Sequence, residues 1–273
     1  MTEILADLHN HTKLCDGHCT PAQMAAAAFK KGFTDFGFSG HSYAPFDLPC
    51  SIRDEADYHK EIHALQKSYA GKMNIYCGVE QDYWAPVANR SCYDYLIGAI
   101  HYLLDLESGQ YFAVDGSVEE FISCIKESFG GDPYALCQQF YAYTAENVCH
   151  YRPQVVGHFD LVVKNNGDGR FFDENDRRYQ NAAMDALAAC LETEAVIELN
   201  TGGIYRGYRE TPYPADFLLL ELKRRGGRIT LAADAHETQA IGFGFGDACE
   251  RLRCLGFNCV WVWQNNGFVE QGL

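Results

Sequence analysis

Short apolar runs in this chain repeatedly end in a residue of metal-ligand type, and that repetition constrains the fold more than any other feature. Seven of the ten histidines lie in such polar motifs, from Asp7-Leu8-His9-Asn10-His11 near the start to Asp234-Ala235-His236 near the end. Alternate residues of a strand point to the same side, so His9 and His11 can face one ion. His41 follows Phe36-Gly37-Phe38-Ser39-Gly40, and Glu80 closes Ile75-Tyr76-Cys77-Gly78-Val79. His101 closes Tyr95-Leu96-Ile97-Gly98-Ala99-Ile100, and His158 closes Val155-Val156-Gly157. Asp234 and His236 follow Ile229-Thr230-Leu231-Ala232-Ala233. One histidine at a strand end is equally well a satisfied core residue; the same placement on strand after strand is not. Barrels of parallel strands gather their active sites at the carboxyl ends.

The expected strands are Ile4–Asp7, Thr34–Ser39, Asn74–Glu80, Tyr95–His101, Val155–His158, Val196–Asn200 and Ile229–Asp234. Between them fall helical stretches at Asp54–Tyr69, Val118–Phe129, Tyr134–Cys149, Glu174–Glu192, Ala215–Arg225 and Ala248–Leu255. The clearest helix follows the first strand: Thr20 can cap it, Pro21 suits its first turn, Met24-Ala25-Ala26-Ala27-Ala28-Phe29 favours it, and Gly32 can end it. Strands alternating with helices imply an α/β chain with a parallel sheet. The stretch between His101 and His158 is too long for a simple connection and is expected to carry a helical excursion.

With 273 residues, 47% of them hydrophobic, and no Pro/Gly/Ser-rich linker, the chain is expected to form one domain over 1–273. A net charge of −15 gives no basic stripe for a nucleic acid. No apolar run approaches the roughly 20 residues of a membrane span, and Met1-Thr2-Glu3 does not open a signal peptide, so a soluble cytoplasmic protein with no membrane partner is expected. Nothing in the pattern sets an oligomeric state. The twelve cysteines are scattered singly and read as reduced small hydrophobes, with Cys15 and Cys19 flanking Asp16-Gly17-His18.

Nine residues are candidate metal ligands: His9, His11, His18, His41, Glu80, His101, His158, Asp234 and His236. A mononuclear site needs three or four, so nine with a bridging carboxylate imply two or three ions. Mixed imidazole and carboxylate donors suit zinc, iron or manganese. Such a cluster supports metal-assisted hydrolysis of a small phosphomonoester, with close ions ionising a bridging water and neutralising phosphate oxygens. Asp234 is the candidate to orient or deprotonate that water, with His236 toward the leaving side. Arg206 and Arg209 follow the glycine turn Gly202-Gly203, Lys164 follows Gly157-His158-Phe159-Asp160, and Asn200 closes the sixth strand; these are the candidate substrate-binding residues. His59 and His63 lie four apart on a helix, but His59-Lys60-Glu61-Ile62-His63 is not H-E-x-x-H and reads as solvated helix surface. His150 is likewise not expected to be a ligand.

The order H-x-H, C-D-G-H, G-H, G-V-E, I-G-A-I-H, G-H-F-D and D-A-H resembles the PHP (polymerase and histidinol phosphatase) superfamily. Gly78-Val79-Glu80-Gln81-Asp82-Tyr83, Asp94-Tyr95-Leu96-Ile97-Gly98-Ala99-Ile100-His101-Tyr102, Asn200-Thr201-Gly202-Gly203 and Tyr213-Pro214 are similar to its monofunctional histidinol-phosphate phosphatase branch. The resemblance implies a distorted (β/α)7 barrel with a trinuclear centre of divalent ions. His9, His11, Glu80 and Asp234 would hold one ion, Glu80, His101 and His158 a second, and His18, His41 and His236 a third. The loop Asp16-Gly17-His18 is one residue longer than the C-G-H form of some relatives. The implied reaction is hydrolysis of L-histidinol phosphate in histidine biosynthesis. The competing readings are a PHP phosphoesterase for another small phosphate, such as a nucleotide or sugar phosphate, and a non-catalytic or polymerase-associated PHP domain.

Overall fold

The computed structural model describes residues 3–273. After the short strand β1 (Ala6–Asp7) comes α1 (Pro21–Lys30), whose start is fixed as expected: Thr20 accepts from the Gln23 amide, and the Gln23 side chain accepts from the Thr20 amide in return. Then follow β2 (Asp35–Phe38), α2 (Glu55–Tyr69), β3 (Asn74–Asp82) and β4 (Tyr95–Ala99). The long excursion opens with a hairpin of β5 (Tyr102–Leu104) and β6 (Tyr111–Ala113), then α3 (Val118–Ser128) and α4 (Pro133–Tyr151). The barrel resumes with β7 (Val155–Val156), α5 (Arg177–Leu191), β8 (Val196–Asn200), the short α6 (Gly202–Tyr205), α7 (Asp216–Arg224), β9 (Ile229–Ala232) and α8 (Phe245–Cys254). A second hairpin, β10 (Cys259–Gln264) and β11 (Gly267–Gly272), ends the chain. It is absent from the expected elements, although Asn265-Asn266-Gly267 after an apolar run signals it; Asn265 and Asn266 both adopt the positive φ of such turns.

Seven parallel strands stand side by side in the order β1-β2-β3-β4-β7-β8-β9. Closure comes just beyond the outer strands, where the His11 amide donates to Ala235 O (2.8 Å) and the Ala235 amide to His9 O (3.2 Å). The motifs at the two ends of the sequence therefore become neighbours. The expected strands Tyr95–His101, Val155–His158 and Ile229–Asp234 run on into their ligands, whereas β4, β7 and β9 stop two residues short of them. His101, His158 and Asp234 therefore sit in the first residues of the loops, whereas Glu80 stays within β3, paired with Ile97 of β4.

The main core lies between the barrel and its helices. A second cluster of Leu8, Tyr76, Tyr95, Ile97, Val155 and Trp263 fills the barrel itself. The Tyr95 ring lies where side chains at Gly37 and Gly78 would stand: a Cβ at Gly78 would come within 2.2 Å of it. The Tyr95 hydroxyl shares its proton between the carbonyls of Leu8 and Phe38, linking the ends of β1 and β2 to β4 beneath the ligand-bearing face. All twelve cysteines are free. Among the described residues no helix is long and apolar enough to cross a membrane.

Candidate metal centre

Glu80, fully buried near the end of β3, is surrounded by imidazoles. Its Oε2 lies 3.2 Å from His9 Nε2, 3.4 Å from His11 Nε2 and 3.1 Å from His41 Nδ1. Its Oε1 lies 2.8 Å from His158 Nε2 and 3.3 Å from His101 Nε2. Asp234 Oδ1 faces His11 Nε2 at 3.4 Å and His9 Nε2 at 3.8 Å. A second grouping forms on Asp16, 3.3 Å from His11 Nδ1, 3.5 Å from His41 Nε2 and 3.0 Å from His236 Nε2.

Buried polar atoms without partners are costly. Here His9 Nε2, His11 Nε2, Asp16 Oδ1 and Glu80 Oε2 are all buried with no hydrogen bond. Nitrogen and oxygen donors converging in this way fit divalent ions. The charges point the same way. Burial would push Glu80 up, yet the imidazoles of His9, His41 and His101 bring it well below the usual carboxylate range. For Asp234, burial is likewise outweighed, here by Arg206, His9 and His11, and for Asp16 by His41 and His11. Burial would lower His9 and His101, but their facing carboxylates hold both well above the ordinary histidine value. The cluster thus demands positive charge, from protons or from metal ions.

A supporting layer fixes which ring nitrogen faces the centre. His9 Nδ1 donates to Glu198 Oε2 (2.9 Å), which leaves Nε2 as the nitrogen that can offer a lone pair to an ion in the centre. Glu198, on β8, also accepts from the His158 amide (2.7 Å) and from Asn200 Nδ2 (2.7 Å). Asp82 accepts from the His101 amide (2.7 Å). Asp234 adopts the left-handed conformation, φ +50°, straight after β9, which turns its carboxylate inward. Arg206 locks it there, donating to Asp234 Oδ2 (2.8 Å) and to its backbone carbonyl (2.9 Å). This approach needs Gly202, where a Cβ would stand 2.8 Å from Arg206 Nη2 and 2.9 Å from Asp234 Cβ.

The structure thus brings together eight of the nine expected ligands. The ninth, His18, lines the mouth of the cleft but is exposed and joins no ligand cluster among the described residues. Asp16, two residues earlier in the lengthened loop, joins His11, His41 and His236 instead. Of the expected substrate-binding residues, Arg206 and Lys164 line the cleft. Arg209 does not: its guanidinium is turned away to Val163 O (3.2 Å) and Glu174 Oε1 (3.4 Å). Asn200 is fully buried behind Glu198 and Asp234, so it supports the centre rather than touching a substrate. Asp16 and Glu198 were missed. Glu198 had a signal, being a carboxylate inside the apolar strand Val196-Ile197-Glu198-Leu199-Asn200.

The cleft over this cluster holds about 290 Å³ and is also lined by Asp115, Tyr208 and Tyr213. A larger cavity of about 1040 Å³, between Ile4, Phe33, Ile241 and Phe245, has no such convergent donors among the described residues. Chemistry rather than volume selects the site.

The family model of the PHP domain matches residues 7–202, which include most of these donors. The chain belongs to the PHP family. A PHP relative, the probable histidinol-phosphatase of Deinococcus radiodurans, is 30% identical over 94% of this chain and 95% of its own. The histidinol-phosphatase of Bacillus subtilis is 27% identical over 90% of this chain and 98% of its own. The solved structure of a putative histidinol phosphatase from Listeria monocytogenes superposes with a TM-score of 0.75 at 19% identity, covering 89% of this chain and all of that one. Histidinol phosphate phosphatase from Lactococcus lactis, solved with zinc, L-histidinol and phosphate, gives 0.67 at 21% identity, covering 97% and 98%. These structures share the seven-stranded PHP barrel.

Proposed function

We propose that this chain is a metal-dependent phosphoric monoester hydrolase that converts L-histidinol phosphate and water to L-histidinol and phosphate. The observation that carries the chemistry is the set of orphaned lone pairs converging on Glu80 and Asp16 beneath a cleft rimmed by Arg206 and Lys164. The substrate is suggested by the relatives at 27% and 30% identity, which bear that name over nearly their whole length.

Three donor groups suit three divalent ions: His9, His11, Glu80 and Asp234; Glu80, His101 and His158; and Asp16, His41 and His236. When bound, such ions supply the Lewis acidity that ionises water near neutral pH and offsets the charge of phosphate oxygens. The chain's own groups supply the rest. Asp234 is placed to orient the attacking water. Arg206 fixes it through Oδ2 and leaves Oδ1 toward His9 and His11. Lys164, resting over the Tyr208 ring (4.5 Å), borders the cleft with positive charge for a phosphate dianion. Asp115 lies 3.6 Å from Lys164; burial would raise it, but Lys164, His101 and His158 keep it low, giving the cleft an anionic wall that suits the amine of histidinol.

The test is phosphate release by metal-reconstituted protein from L-histidinol phosphate and from a panel of nucleotide and sugar phosphates, compared as kcat/KM. A preference of several orders of magnitude for histidinol phosphate is expected; equal or faster turnover of another phosphate would overturn the substrate while leaving the hydrolase. Asp234→Asn should fold normally and lose turnover by about 10²-fold or more, and near-normal activity would remove Asp234 from its role.

A further inference from the structure

Outside the barrel, on the face turned away from the main centre, a second set of donors comes together. His59 and His63 lie one turn apart on α2, their rings stacked with centroids 5.9 Å apart. Cys77 is buried in β3, and its Sγ lies 3.3 Å from His59 Nδ1. The three donor atoms lie within 4.8 Å of one another. Residues 77 and 80 differ in strand parity, so with Glu80 turned into the barrel Cys77 faces the helices. The two donor sets do not share a ligand.

We propose that His59, His63 and Cys77 form a second metal site, for one zinc-class ion, that pins α2 to the strand carrying Glu80. Tetrahedral zinc with N and S ligands sets donor atoms about 3.3–3.6 Å apart. The His59–Cys77 pair already stands at that spacing, and the exposed His63 has room to close the rest. Two imidazoles and a thiolate are a borderline-soft set that selects zinc or its neighbours over magnesium or calcium. The exposed side of His63 leaves the fourth position to water, so this ion is exchangeable. An ion bound by Cys77 replaces the thiol proton, so loading releases a proton and tightens with pH.

The test uses the full chain with its main centre filled with zinc, titrated with Co²⁺. A sulfur-to-cobalt charge-transfer band is expected in the near ultraviolet, lost in Cys77→Ser and retained in Cys15→Ser, which removes the thiol 3.7 Å from His11 Nδ1. Because its side chain is exposed, His63→Asn should fold normally and weaken Co²⁺ binding by about tenfold or more. No band, a band that survives Cys77→Ser or vanishes in Cys15→Ser, or unchanged affinity in His63→Asn would each overturn the site. This holds whatever phosphate the main centre hydrolyses.

Discussion

Glu198→Gln changes one atom and should disable a ligand that residue 198 never shares. The wild-type carboxylate is fully buried and only accepts: from His9 Nδ1 at 2.9 and 3.1 Å, from the His158 amide at 2.7 Å and from Asn200 Nδ2 at 2.7 Å. A glutamine has one oxygen. The His158 amide and Asn200 both meet Oε1, so the oxygen stays there and the new NH2 faces His9 Nδ1. Two donors cannot share that line, and His9 must move its proton to Nε2. The nitrogen that lay 3.2 Å from Glu80 Oε2 as a lone pair then becomes an N–H and no longer ligates. Loss of such an outer partner costs about 10–100-fold in metal affinity, or about 1.4–2.8 kcal/mol. Size and shape are conserved, so the fold should survive. Chelator competition for zinc should show the weakened Kd, and turnover should recover partly with excess zinc. A Kd within about twofold of wild type would refute the tautomer argument.

Three further outcomes are expected. If Asp16 rather than His18 completes the His41–His236 group, Asp16→Asn should lose roughly one equivalent of bound metal by elemental analysis while His18→Asn retains it; the reverse pattern would return the ligand to His18. Gly78→Ala drives a Cβ into the buried Tyr95 ring and should cost about 3 kcal/mol in urea denaturation, a loss below about 1 kcal/mol being incompatible with the packing described. Burial raises Asp160 from 3.8 to about 7. Its contribution to stability is therefore full below pH 3.8 and lost as pH rises toward 7, by up to about 4 kcal/mol. Asp160→Asn should flatten the stability profile of chelated protein between those values, and an unchanged slope would show that Asp160 ionises normally.

Much of the centre was legible because a strand has a fixed period. Its alternation and its carboxyl end dictate where a terminal side chain points, so His9, His11, His101 and His158 could be placed from apolar runs alone. Eight of the nine expected ligands converge because they stand in or within a few residues of the carboxyl ends of neighbouring parallel strands. His18 and Arg209 lie farther along their loops, well past the strand ends, where direction is set by contacts far away in sequence. Arg209 is drawn off by Glu174, on the approach to α5, and the Cys15–Cys19 loop, held by the His18 amide on His236 O (2.7 Å), brings Asp16 inward. His59 reads as solvated surface until β3 places Cys77 beneath it.

The sequence by itself determined the class of fold and the chemistry: periodic apolar runs ending in imidazole and carboxylate admit few arrangements other than a metal-lined parallel barrel. Only the tertiary structure decided which polar side chains of the loops enter the centre, which nitrogen of each ring is free, and which groups hold the ligands from behind. Those choices rest on hydrogen bonds between residues such as His9 and Glu198, far apart in the chain, and local sequence carries no record of such partners.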